Sequence, residues 1–141
     1  MRALTKLFNF EFIHQRQISD IVLSSKNNLY MDGPAIFDFT LSTVPDLVEQ
    51  TLLKNNLLKK DVDLFVFHQA NKFMLDALRD KLQIPEEKFF IDLEQIGNTV
   101  SSSIPIAIAQ AESSNILQRG MSVLLAGFGV GYSWAGCVFD F

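Results

Sequence analysis

The sequence predicts an α/β domain: one mixed, mostly parallel sheet with helices on both faces. Two short apolar runs, Leu64–Phe67 and Met121–Ala126 (broken only by Ser122), have the character of strands covered on both sides. The segments before and between them place apolar residues at helical spacing, and strands separated by helices need crossovers, which makes neighbouring strands parallel. The last two apolar runs are joined only by the five residues Gly127–Gly131, so that pair is expected to be antiparallel.

The bulk composition fits a core of this kind. The chain has 141 residues, the length of one ordinary domain, and can bury roughly 68–70% of its unfolded surface. Hydrophobic residues make up 48% and include 13 Phe, more than one small domain needs, so part of that surface is expected to meet a partner. The net charge is −4 and no basic run occurs, which argues against a nucleic-acid surface. No apolar stretch reaches the roughly 18 residues of a membrane span. Met1 to Phe12 lacks the apolar core and cleavage site of a signal peptide. A single cysteine cannot form an internal disulfide, and no metal-ligand cluster is evident. These features together suggest a cytoplasmic protein.

Taken in order, residues 1–29 are the hardest to read. Ile18 to Ser24 is a strand candidate, Ser24 to Asn28 a polar loop, and His14 sits in no motif, with surface or loop as its default. Asp32-Gly33-Pro34 is a turn that starts a helix, with Pro34 near its first position. Phe37, Leu41 and Val44 continue it, and Pro45 is expected to kink or restart it. Leu47, Val48, Thr51, Leu52 and Leu53 carry the pattern to an end near Asn55-Asn56. A strand follows at about 63–67 and a helix at about 70–82, with Phe73, Met74, Ala77 and Leu78 as its apolar stripe. Phe89 to Asp92 is a short strand candidate, and Gly97-Asn98-Thr99 a turn. Ser101, Ser102 and Ser103 are candidate caps for a helix containing Ile104, Ala107, Ile108 and Ala111. That helix is expected to run to about 118, ending near Arg119-Gly120, and to be the most buried of the molecule, because its first half is apolar almost all round. Met121–Ala126 is a strand, Gly127–Gly131 a turn, and Tyr132 to Phe139 the final strand.

Three turns follow strands: His68-Gln69-Ala70-Asn71, Gly97-Asn98-Thr99 and Gly127–Gly131. Parallel strands would bring them to one sheet edge, where ligands of open α/β sheets collect. A His, an Asn and free glycine backbone form a set of neutral hydrogen-bond donors, suited to a developing oxyanion rather than to a metal or phosphate. Each has a plainer reading. His68 could be a structural residue at a strand end, Asn98 an ordinary turn residue and the glycines a tight turn. The glycine turn has no Walker lysine and opens no helix. The serines lack a Gly-x-Ser-x-Gly elbow, and Cys137 has no base near it in sequence, so an inert buried thiol is the better reading there.

Together the turns carry a resemblance. His68-Gln69-Ala70-Asn71, then Gly97-Asn98-Thr99-Val100-Ser101-Ser102-Ser103-Ile104-Pro105, then Gly127-Phe128-Gly129-Val130-Gly131-Tyr132-Ser133-Trp134 resemble the C-terminal half of the 3-oxoacyl-(acyl-carrier-protein) synthase III family. Met31-Asp32-Gly33 with Ile36-Phe37 is similar to the start of that half. The resemblance covers residues 30–141 and divides the chain into that domain and a poorly matched segment, 1–29, with no copy of the family's Gly-Asp-Gly-Ala segment.

The resemblance implies the C-terminal half of the thiolase fold. It also implies a part in the decarboxylative Claisen condensation of acyl-CoA with malonyl-carrier protein, with those two as substrates and no cofactor or metal. His68 and Asn98 would be the family's catalytic pair, donating to the malonyl thioester oxygen. The amide of Val130 would donate to the acyl-thioester oxygen, and Phe128 and Asn71 would line the substrate pocket. The acylated cysteine would come from an N-terminal half, which Cys137 does not match, so the chain alone is expected to be inactive. The partners implied are that cysteine-bearing half or a homologous subunit, the acyl carrier protein, and a second copy in a homodimer of the full enzyme. Phe73 stands where some members carry a basic residue for the acidic carrier protein. The alternative is a non-catalytic subunit that pairs with a cysteine-bearing homologue.

Overall fold

The computed structural model describes residues 31–141. The strand expected at Ile18 to Ser24, the loop after it, His14 and the segment 1–29 as a unit lie outside the described residues. Within 31–141 the chain runs α1 (Gly33–Lys54), β1 (Leu64–Phe67), α2 (Lys72–Leu82), β2 (Phe89–Phe90), α3 (Ser103–Ser113), β3 (Ser122–Gly129) and β4 (Ser133–Asp140).

The sheet order is β2-β1-β3-β4. β1 is parallel to β2 (Phe65 opposite Phe89) and to β3 (Leu64 opposite Val123), while β3 and β4 form an antiparallel hairpin. The mixed, mostly parallel sheet is as expected. The side-chain alternation of a strand explains why Leu64–Phe67 is apolar at every position. Phe65 and Phe67 face one core with Val44 and Val48 of α1 and Met74, Leu75 and Leu78 of α2. Leu64 and Val66 face the other, with Ala107 and Ala111 of α3 and Val123 of β3. The domain is thus three layers, with α1 and α2 on one face of the sheet and α3 on the other.

Asp32 caps α1, its carboxylate accepting from the Ala35 amide at 3.0 Å, and Pro34 occupies the first turn as expected. Pro45 does not interrupt the helix, which stays continuous through Lys54. Its missing amide forfeits one intrahelical bond, and the buried row Thr40, Val44, Val48, Thr51 and Leu52 holds the helix on the sheet. In α2 the buried row is Met74, Leu75, Leu78 and Leu82; Phe73 is 73% exposed rather than part of the stripe and stacks on Phe37 at 5.3 Å.

Two further boundaries differ from expectation. α3 ends at Ser113 rather than near 118, where the run Ser113-Ser114-Asn115 competes for backbone bonds: Ser113 donates to the Gln110 carbonyl and Asn115 takes a φ of 56°. It is also not the most buried helix: three of its 11 residues, Ser103, Ala107 and Ala111, are buried, against four of 11 in α2. Its apolar sequence reflects a helix bearing on one small sheet face with half-buried isoleucines along its sides. In the last hairpin, Gly127 and Gly129 belong to β3, so the turn is only Val130 to Tyr132, with Gly131 at φ 90°. β2 is only Phe89–Phe90, the first two residues of the four-residue strand candidate.

Candidate active site

The C-terminal ends of the three parallel strands meet on one side of the sheet, and a cleft of about 770 Å³ opens there. It is lined by His68, Asn71, Asn98, Ser103, Phe128 and Val130 among others. All five residues singled out from the sequence therefore come to one place, delivered by the end of β1, the loop before α3 and the turn after β3.

His68 continues the ladder of β1, its amide donating to the Ala126 carbonyl at 2.8 Å. Its ring stands edge-on to Phe128, with centroids 5.5 Å apart. Nδ1 lies 2.7 Å from the Ser103 hydroxyl oxygen, and Nε2 has no partner among the described residues. Burial lowers the imidazole pKa, because an apolar wall penalises the charged form. At neutral pH the ring is thus neutral, with a single N–H.

Asn98 is exposed and follows Gly97, which takes a φ of 68°. Its Oδ1 accepts from the Val100 amide at 2.9 Å. A backbone N–H needs an acceptor, so this bond fixes the amide's orientation and leaves Nδ2 as the unpaired donor. The turn reading and the donor reading are therefore compatible: one end of the side chain makes the turn and the other remains free. Val100 holds a φ of 55°, unfavourable for a β-branched residue, in the loop that presents Asn98. The amide of Val130, in the tight turn, likewise has no hydrogen-bond partner among the described residues, and its side chain is 68% exposed.

Asn71 has a structural duty as well, its Oδ1 capping α2 through the Met74 amide at 2.8 Å. Cys137 pairs in register with Leu125, away from the cleft lining, and burial raises its thiol pKa, which disfavours thiolate. Among the described residues there is no cluster of three metal-ligating side chains, and no helix is long and apolar enough to cross a membrane.

Two supporting residues were not evident from sequence. Gln69 is fully buried; its Nε2 donates to the carbonyls of Phe67 (2.8 Å) and Phe90 (3.3 Å), and its Oε1 accepts from the Asp92 amide at 2.9 Å. It stitches the ends of β1 and β2 together directly beside His68. Ser103, expected among the helix caps, makes its bonds to His68 and to the Gln69 amide instead, while Ser102 at the cap position makes no side-chain bond. The only sequence signal for either was a polar residue beside an apolar run.

Three neutral hydrogen-bond donors thus line one cleft at the C-terminal end of a parallel sheet in an α/β domain. Residues 52–141 match the family described as 3-oxoacyl-[acyl-carrier-protein (ACP)] synthase III C terminal, and the chain belongs to that family. It is 37% identical over 111 residues to a beta-ketoacyl-[acyl-carrier-protein] synthase III of Microcystis aeruginosa, an alignment covering 79% of this chain and 33% of the relative. Among solved structures it resembles a 3-oxoacyl-(acyl-carrier-protein) synthase III at 48% identity and TM-score 0.78, covering 79% of this chain and 33% of the other. The synthase III of Thermus thermophilus matches at 36% identity and TM-score 0.79, covering 82% and 36%. The chain spans about a third of the length of the relatives it matches. Its fold is the C-terminal half of the thiolase fold.

Proposed function

We propose that this chain supplies the donor half of a decarboxylative condensing site, acting on malonyl-carrier protein and an acyl group held as a thioester on a cysteine of an N-terminal half. The carrying observation is that His68 and Asn98 line one cleft, each with one heteroatom tied off by the protein and one nitrogen unpaired. In the first step the bond between the malonyl carboxylate and its α-carbon breaks. Carbon dioxide leaves, and the electron pair delocalises onto the thioester oxygen. His68 and Asn98 donate to that oxygen as its charge grows. In the second step the α-carbon attacks the acyl carbonyl, whose oxygen receives the Val130 amide, and the bond to the cysteine sulfur breaks. Neutral donors fit both steps, because no proton has to be delivered while charge builds, and pre-oriented dipoles need no reorganisation.

Phe128 and Asn71 form the wall beside the reacting thioester. The reading requires no metal or cofactor. It assigns residues 30–141 to the domain, places the enzyme in the cytoplasm, and makes the cysteine-bearing half, the acyl carrier protein and a second copy of the full enzyme its partners. The test mixes this chain with the N-terminal half of a related synthase and measures radiolabelled 3-oxoacyl product from acetyl-CoA and malonyl-carrier protein. The isolated chain should be inactive, and in the mixture His68→Ala and Asn98→Ala should each lower turnover by about 10²–10³, the usual loss for one oxyanion donor. Turnover by the isolated chain, or full activity in both variants, would overturn the reading.

A further inference from the structure

Ser103 is the first residue of α3 and only 3% exposed, yet it touches the one imidazole of the cleft. Its hydroxyl oxygen lies 2.7 Å from His68 Nδ1 and accepts from the Gln69 amide at 3.3 Å. A hydroxyl has one proton to give. If Nδ1 carried the ring proton, Ser103 would accept from both Nδ1–H and the Gln69 amide. Its own proton would then have no acceptor among the described residues, an unmade bond in a buried place. If the hydroxyl donates to Nδ1 instead, each of its bonds is satisfied: one accepted from Gln69, one given to the ring.

We infer that Ser103 is a positioning residue: its hydroxyl donates to His68 Nδ1 and holds the imidazole as the Nε2–H tautomer, keeping the unpaired N–H for the cleft. The oxygen is held in place from two sides. α3 supplies it at a fixed point of its first turn, and Gln69 is itself locked to both neighbouring strand ends. The edge-on contact with Phe128 restricts ring flipping, which would otherwise exchange the two nitrogens. The one proton of the neutral ring thus sits on the nitrogen that has no protein partner. The catalytic consequence of this arrangement rests on the proposed function, but the tautomer does not.

The experiment records long-range ¹H–¹⁵N imidazole spectra of the ¹⁵N-labelled chain, with His14→Gln removing the signals of the second histidine. The expected result is a protonated Nε2 and an unprotonated, hydrogen-bonded Nδ1 for His68. Ser103→Ala should move the Nδ1 resonance to that of an acceptor without a partner and bring in the other tautomer, whereas Ser103→Thr, which keeps the hydroxyl, should restore the original pattern. A wild-type spectrum showing Nδ1–H overturns the inference without any variant being needed, as does a Ser103→Ala spectrum identical to wild type. In the mixed-half assay Ser103→Ala should lower kcat by about 10–100-fold, by analogy with the loss when the partner that orients a metal-bound histidine is removed, with KM unchanged and Ser103→Thr largely active. If the spectra agree but His68→Ala leaves the mixed halves fully active, the proposed function fails and the tautomer assignment stands.

Discussion

Gly136→Ala is a small change at a tight place. Gly136 lies in β4, opposite Ala126, where α1 crosses the hairpin. A Cβ there would sit 2.6 Å from Thr51 Oγ1 and 3.3 Å from both Cγ and Cδ1 of Leu47. The first contact is far inside van der Waals range, and Thr51 cannot easily give way. It is 6% exposed, its branched side chain is stiff about χ1, and its hydroxyl donates to the Leu47 carbonyl at 2.7 Å. Either that bond breaks or the helix lifts off the strand, and overpacking of this kind costs about 1–3 kcal/mol. Thr51→Ala removes the clashing oxygen and leaves no orphan, because the Leu47 carbonyl still accepts along the helix. The double variant should therefore recover about 1 kcal/mol relative to the sum of the single changes. Urea unfolding of the full chain, followed by the fluorescence of Trp134, the only tryptophan and two residues from the substitution, reads both quantities. A Gly136→Ala midpoint equal to wild type, or no coupling with Thr51→Ala, would refute the argument.

Further expectations concern the cleft. Gln69→Ala should strand the part-buried Asp92 amide together with the Phe67 carbonyl and cost about 1–3 kcal/mol, measurable by the same urea titration. The burial that lowers the His68 pKa sets a sign for stability. The unfolded chain takes up a proton near the ordinary value of about 6.5 while the folded chain resists it, so this contribution is intact above that pH and is lost as pH falls through the lower folded value. The urea midpoint should accordingly drop between pH 7.5 and the acid side of neutrality (roughly one to two units lower), and His68→Gln should flatten that slope. Cys137→Ser should leave turnover of the mixed halves nearly unchanged, and the raised thiol pKa should make Cys137 react with a thiol reagent more slowly than a free cysteine at the same pH.

What could be read from the sequence followed from local physics acting alone. Leu64–Phe67 is apolar at every position because both faces of β1 are covered, and that pattern survives any detail of packing. Asp32 and Pro34 act within the first turn of their own helix, so short-range chemistry sufficed for that start as well. The features that escaped were long-range. Pro45 reads as a breaker, but the sheet beneath α1 outweighs one lost bond. Phe73 fits the apolar spacing of α2 yet lies outside the core, where Leu75 takes its place. Ser103 looks like a cap because nothing nearby reveals an imidazole 35 positions away, and Gln69 carries no sign that its partners lie on another strand. Val100 gives no hint of its left-handed backbone, which the loop imposes on it.

The central position of β1 has a consequence for how the chain acquires its cleft. The Ser122 amide that anchors the start of β3 donates to the Asp63 carboxylate, 59 residues earlier. The β3–β4 hairpin needs only a tight turn and can form in about 1–10 µs. Docking β1 beside it must first close a long loop, whose entropy is lost before any pairing compensates for it. His68, Asn98 and Val130 hang on three segments that meet only after that closure. The donors should therefore be the last feature to assemble, after the hairpin and the individual helices. Pulse-labelled hydrogen exchange should find the amides of β3 and β4 protected before those of Phe65 and Phe67, and the opposite order would show that the central strand nucleates the fold.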